Sequence, residues 1–255
     1  MNEKTMTKDS FSSLLDVLSL IKDVCNDVDI RNGEIRQLVN NKSFLVEADL
    51  QTYLDDSDLV LPLIKNKLSL LSIFLDGSND NEIKFMEFDN KYIFSDDVTL
   101  LRFTVSSNSE HLDNKHMTIE ERDKLFIVDP LKLLFSCKLD KFIQNKIKII
   151  TENLNVDDVI INIVDNQASF DIVSFNKLND AKILKNIPVQ LVDGKHYRVT
   201  LSAIPFKLDY QNDLEFFMYD ISENGNGKVL CKLETEFNDC KLNIYLPGFL
   251  VPVEE

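Results

Sequence analysis

The sequence predicts an α+β protein of two similar halves, each opening with an amphipathic helix that leads into paired strands. Three observations predict it. Apolar residues at Phe11, Leu14, Leu15, Leu18, Ile21 and Cys25 recur at helical spacing, and Asn32-Gly33 then marks a tight turn between two short runs. The same order returns at Leu139, Phe142, Ile143, Ile147 and Ile150, followed by strand-like runs at 159–164 and 169–173. Between them, residues 106–130 are polar and lack a strand rhythm, as expected of a connector. The expected division is 1–105, 106–130 and 131–255.

In the first half, Asp9 or Ser10 is placed to cap the first helix. Its polar face carries Ser12, Asp16, Ser19 and Asp23, with Lys22 at the margin of the apolar stripe. A hairpin is expected over 28–31 and 34–39, then a strand at 43–48. Another strand near 58–61 leads into a second helix, with Pro62 in its first turn. That helix sets Ile64, Leu68, Leu71 and Leu75 on one side and Lys65, Ser69, Ser72 and Asp76 beside them. Strands follow at 82–88, 91–94 and 99–105. In the connector, one helical turn is expected near 118–124.

In the second half, Lys138, Lys141, Asn145 and Lys148 fall opposite the apolar helix stripe, and Lys146 falls off that face, on the apolar side. Later strands are expected at 189–192, 214–219, 228–234 and 241–246, with a turn at Gly225-Asn226-Gly227. A short helix is expected near 202–208, held to a turn or two by Pro205.

Composition bounds the function. The 255 residues are 44% hydrophobic and include 17 Phe and no Trp, a composition that supports a packed core. A net charge of −15 disfavours nucleic-acid binding unless lysines are gathered locally. Cys25, Cys137, Cys231 and Cys240 form no CxxC pair, and with His111, His116 and His196 they make no zinc spacing, so reduced thiols are expected. The first ten residues lack a signal peptide's apolar stretch, and the longest apolar tract, 59–75, is interrupted by Pro62, Lys65, Asn66 and Lys67. A soluble chain of the cytoplasm is expected, without a membrane partner. The run Asp76, Ser78, Asp80, Glu82 has Asn81 where an EF-hand needs glycine. Gly225-Asn226-Gly227-Lys228 lacks the length and hydroxyl of a P-loop. No nucleophile stands with a base, so neither an enzyme nor a cofactor or metal is expected.

The stretches LLDVLSLIKDVCNDVDIRNGEI and SFLVEADL in the first half, and SFDIVSFNKLNDAKIL with its Phe-Asn-Lys turn in the second, resemble the PCNA-type DNA sliding clamps. They are most similar to the trimeric clamps of T4-type bacteriophages. The resemblance runs in order from Phe11 to Leu246 and departs mainly in a longer connector. It implies the DNA clamp fold, with two similar domains of two helices each packed on antiparallel sheets. Three copies would close a ring, helices lining the hole. It implies a processivity factor that encircles duplex DNA without reading sequence, is opened by a clamp loader and tethers a polymerase. If the source is viral, it would work in the host cytoplasm. A viral structural or scaffold protein without DNA-encircling activity is the alternative.

On that resemblance, DNA would meet lysines on the polar helix faces, because long-range attraction to phosphate permits sliding where base contacts would not. The candidates are Lys22, Lys65, Lys67, Lys138, Lys141, Lys148 and Lys207. Partner docking would use an apolar groove between the halves beside the connector. Its candidates are Phe126 and Ile127 with the C-terminal residues Tyr245, Leu246, Pro247, Phe249 and Leu250.

Overall fold

The computed structural model describes residues 3–39, 44–54, 58–61, 64–78, 81–88, 91–104, 115–126, 128–173, 180–222, 226–237 and 239–251. The chain divides into two compact units. Unit 1 comprises Met1–Lys42, Val46–Met117 and Asn238–Cys240, and unit 2 comprises Ser43–Leu45, Thr118–Phe237 and Lys241–Glu255. No helix among the described residues is long and apolar enough to cross a membrane.

Unit 1 opens with a strand, β1 (Glu3–Thr7), within a stretch for which the sequence predicts no element. It pairs antiparallel with β6 (Glu82–Phe88), which pairs with β7 (Lys91–Ser95), which pairs with β8 (Leu100–Thr104). Helix α1 (Lys8–Ile21) follows β1 directly. Thr7 caps it, its hydroxyl accepting from the Ser10 amide at 3.1 Å, so neither Asp9 nor Ser10 is the cap. Helix α3 (Ile64–Gly77) packs against α1. Phenylalanines form a cluster in the core of this unit. Phe11 of α1 lies 5.6 Å from Phe94 and 6.3 Å edge-on to Phe74, and Phe94 in turn meets Phe85 and Phe103. On α3, Phe74 is buried while Leu75 is only half-buried.

The Asn32-Gly33 turn joins β2 (Val28–Arg31) to β3 (Glu34–Val39) at the expected residues. Both turn residues take positive φ, 50° and 71°, as a two-residue hairpin of matching twist requires. Strand β4 (Phe44–Asp49) and the short helix α2 (Gln51–Leu54) come next, and β5 (Leu59–Leu61) adds to β2. Pro62 lies outside the described residues. The connector holds two elements. Strand β9 (Lys115–His116) pairs with β3, and α4 (Ile119–Leu125) is closed by a capping box between Thr118 and Glu121. Where β9 crosses β3, the buried Gln37 accepts from the Asp29 amide and donates to the Asp27 carbonyl, and His116 Nδ1 donates to Asp29 O at 3.3 Å.

Unit 2 holds β10 (Leu133–Leu139), α5 (Lys141–Leu154), β11 (Asp158–Val164), β12 (Gln167–Val173), β13 (Asp180–Leu191), β14 (Tyr197–Ser202), β15 (Leu214–Asp220), β16 (Lys228–Phe237) and, from Lys241 on, β17 (Cys240–Leu250). A 3₁₀ turn at Ile204–Lys207 takes the place of the expected short helix. The strands neighbour one another in the order β14-β11-β12-β13-β10-β15-β16-β17, and β17 returns to β14. The sheet therefore closes on itself. Inside lie Phe135 stacked on Phe216 at 6.0 Å, and Phe170 edge-on to Phe206 at 6.2 Å.

Closure depends on Gly248. It pairs with Leu201, and a Cβ there would come within 2.4 Å of Leu201 Cδ2, 2.9 Å of Thr200 O and 3.2 Å of Val229 Cγ2. Gly248→Ala should therefore destabilise the chain by about 1–3 kcal/mol, read as a lower denaturant midpoint at unchanged slope. A midpoint equal to the parent's would mean that β14 and β17 separate freely.

A second expectation concerns His116. Burial holds its imidazole below the ordinary value of 6.5, against the Asp29 carbonyl hydrogen bond that favours the charged form. The unfolded chain thus takes up this proton first as pH falls through 6.5, and native stability falls until the native value is passed. Denaturation of the parent between about pH 7 and pH 5 should show a larger loss than denaturation of His116→Gln.

Candidate nucleic-acid interface

Helix α5 begins where Asp140 turns its carboxylate onto the Ile143 amide at 2.8 Å, and ends at Asn155, left-handed at φ 48°. Its inward face is Ile143, Gln144, Ile147 and Thr151. Gln144 is buried as a polar anchor, donating to the carbonyls of Leu139 at 2.6 Å and Asn212 at 3.2 Å. These bonds fix how the helix is turned. The face left in solvent is Lys141, Phe142, Asn145, Lys146, Ile149, Glu152 and Asn153.

This setting differs from the sequence expectation in three ways. Lys138 is not on the helix. It stands on β10, pointing away from Phe135, Cys137 and Leu139, and its ammonium pairs with Asp213 at 3.0 Å. Phe142 is not core but 60% exposed, and Lys146, expected on the apolar side, is exposed. Lys148 is half-buried at the edge of the solvent face, 3.8 Å from an Asp209 carboxylate oxygen. Lys141 is exposed at the first turn and donates to Gln211 at 3.3 Å. Lys207 donates to the Val156 carbonyl at 3.1 Å. Treating every apolar residue of the segment as core misplaces Phe142. The signal that finds the true face is the i, i+4, i+8 row Ile143, Ile147, Thr151, with Asp140 three residues before Ile143 as cap.

In unit 1 the lysines are less collected. Lys65 is exposed and pairs with Asp23 at 2.9 Å. Lys67 is half-buried with its ammonium 5.9 Å from the Phe103 ring, and burial lowers its affinity for a proton while Asp27 opposes that shift. Lys22 is half-buried just past α1, whose exposed positions include Asp9 and Asp16, and the exposed Asp23 follows it. Burial raises the Asp16 carboxyl above the ordinary carboxylate value. The cationic helix surface of this acidic chain is therefore on α5.

Of the docking candidates, Tyr245 and Leu246 are buried, and Phe126 is 9% exposed with its ring 6.0 Å from that of Tyr245. Those three side chains build unit 2 and are not a contact surface. Pro247 is exposed, Phe249 is 55% exposed and Leu250 is half-buried, while Ile127 lies outside the described residues. Beside Lys138, a shallow open depression of about 420 Å³ lies over Ser136, Gln190, Glu215 and Phe217. No group of three or more metal-ligating side chains converges among the described residues.

No protein-family profile and no curated protein matches the sequence. Solved structures do match along the whole chain. One is the proliferating cellular nuclear antigen of Entamoeba histolytica, at 12% identity and TM-score 0.57, covering 98% of each chain. Another is the PCNA2–PCNA3 complex of Sulfolobus tokodaii, at 10% identity and TM-score 0.56, covering 97% of this chain and 99% of that one. The chain has the fold of a PCNA-type sliding clamp. At these identities the shared property is the path of the backbone, so the clamp fold is kept here on a sequence of its own. The ion pairs of α5 belong to this chain's sequence.

Placing Lys138 on β10, directly opposite Glu215 of β15 and paired with Asp213, gives a direct expectation. Lys138→Glu sets like charges across the strand pair and should cost roughly 0.2–1 kcal/mol of stability by chemical denaturation. A cost of several kcal/mol would place this side chain in the core instead.

Proposed function

We propose that this chain is a DNA sliding clamp, a processivity factor that closes as a homotrimeric ring around duplex DNA and tethers a polymerase after a loader has opened it. The observation that carries the reading is the coincidence of a clamp fold along the full chain with a lysine-bearing helix face in a chain of net charge −15. An acidic protein is repelled by duplex at long range, and a local cationic face lets it stay near phosphate without specific contacts. The ring is supported by β8, the last strand of its four-stranded sheet, whose outer edge has no strand partner among the described residues. Such an edge is a template for a strand of another copy. The three-part division at 106–130 and docking on Pro247, Phe249 and Leu250 belong to the same proposal. So does the finer likeness to T4-type phage clamps, with a viral source and host-cytoplasm location. It rests on stretches such as 169–184, of which 174–179 lie outside the described residues.

The test is topological. The chain should sediment at three times the mass of one copy. It should stay on linear duplex whose ends are blocked and run off when the duplex is cut. Lys141→Glu with Lys148→Glu should shorten that residence several-fold and flatten its salt dependence, since each phosphate left unneutralised takes about 0.9 off the log–log slope. A monomer at micromolar concentration, or equal retention on blocked and open ends, would refute encirclement.

A further inference from the structure

On the solvent face of α5, one side-chain pair stands outside the lysine set expected from the sequence. The Lys146 ammonium lies 4.9 Å from the centroid of the Phe142 ring, one helical turn away. Phe142 is 60% exposed, and Ile149 on the next turn is 57% exposed, so this ring and this lysine meet in solvent. Lys146 has no carboxylate partner among the described residues, whereas Lys148 is held near Asp209 and Lys138 by Asp213. The remaining charges on or beside this face are Lys141, which donates to Gln211, Glu152 further along, and the capping Asp140.

The difference between the two kinds of partner matters. A carboxylate cancels an ammonium's charge, and a phosphate must displace it. An aromatic face attracts the ammonium through its quadrupole but carries no net charge, so the held cation keeps its full charge and its outward side for an anion. It also narrows the rotamers of a long side chain, which lowers the entropy cost when the ammonium meets a second partner.

We propose that Phe142 is a positioning residue that holds Lys146 toward the phosphates of duplex DNA, making Lys146 the principal phosphate-facing cation of α5. The inference rests on the clamp reading above and deepens it. Charge complementarity selects the occupant: Lys141 and Lys146 are the exposed charges at this end of the face, the half-buried Asp140 turns its carboxylate onto the Ile143 amide, and between the two lysines lie the neutral Asn145 and the ring.

The experiment compares the full chain with K146Q, F142L and F142Y on end-blocked duplex, following residence against sodium chloride concentration. K146Q should shorten residence several-fold and reduce the salt slope by about one, the change expected for a single phosphate. F142L should shorten residence about two- to threefold while leaving the slope near the parent's, because the charge is kept and only its placement changes. F142Y should restore the parent's behaviour. In carbon–proton spectra, the Lys146 ε-methylene should be shifted upfield by the ring in the parent and F142Y, and lose that shift in F142L. An unshifted parent signal overturns the pairing. Residence unchanged in F142L overturns the positioning role, and unchanged residence in K146Q overturns the lysine's role. A loss confined to polymerase stimulation, with residence intact, would assign the Phe142–Ile149 face to a protein instead. If the parent itself is not retained, the clamp reading fails first, before the variants are compared.

Discussion

Unit 2 depends on the close approach of β17 to β14 at Gly248. Eight strands neighbour one another in order, and only this last pairing turns an open sheet into a closed one. An open sheet would leave two rows of amide and carbonyl groups to find partners elsewhere; the pairing of Val199–Leu201 with Gly248–Leu250 satisfies part of them within the unit. The missing side chain at Gly248 admits the Thr200 carbonyl and the Leu201 side chain where any Cβ would collide. The closed sheet then gives α5 a fixed floor. Phe170 and Phe206 meet beneath it, and Ile143, Ile147 and Thr151 face inward. Because Gln144 adds two hydrogen bonds to carbonyls at the helix start, the helix has one rotational setting. Which lysines reach solvent follows from that setting.

The electrostatics are those of a local exception. With 43 acidic and 28 basic residues the chain is strongly acidic as a whole, and α5 gathers Lys141, Lys146 and Lys148 on one helix. Even there the lysines are not equivalent. Lys148 stands near a carboxylate, Lys141 leans on an amide, and Lys146 leans on a ring. The three arrangements leave different amounts of charge to act at a distance. In unit 1, Lys65 is tied to Asp23 and the exposed side of α1 is acidic, so the two similar-looking helical segments differ in surface chemistry. A backbone plan can repeat while its electrostatics do not, because packing constrains only the buried side of a helix.

Much of the fold is legible in the chain, and the reasons differ by element. The β2–β3 hairpin is readable to the residue because Asn32-Gly33 is a backbone requirement, not a preference. Strands β6 and β11 to β12 announce themselves by alternating apolar residues between turn signals. β1 does not, since its short polar run gains its place by pairing with β6, a partner about 80 residues away. The same limit hides β14. The candidate interface is half legible. That α5 carries lysines is plain, but Leu139 fits both the strand alternation of Phe135 and Cys137 and the helical spacing of Ile143. That overlap draws Lys138 onto the wrong element. Phe142 reads as core because exposure of a phenylalanine cannot be told from hydrophobicity. It follows from the helix's rotation, set by Gln144 and a floor that only the closed sheet provides.

All four cysteines are buried, and burial pushes the thiols of Cys25, Cys137 and Cys240 up to about 12 and that of Cys231 well above its ordinary value. A thiol reacts as its thiolate, so burial lowers the reactivity of these sulfurs in the folded chain. Its sulfur chemistry, when it occurs, records the opening of a particular unit: Cys25 and Cys240 speak for the first, Cys137 and Cys231 for the second.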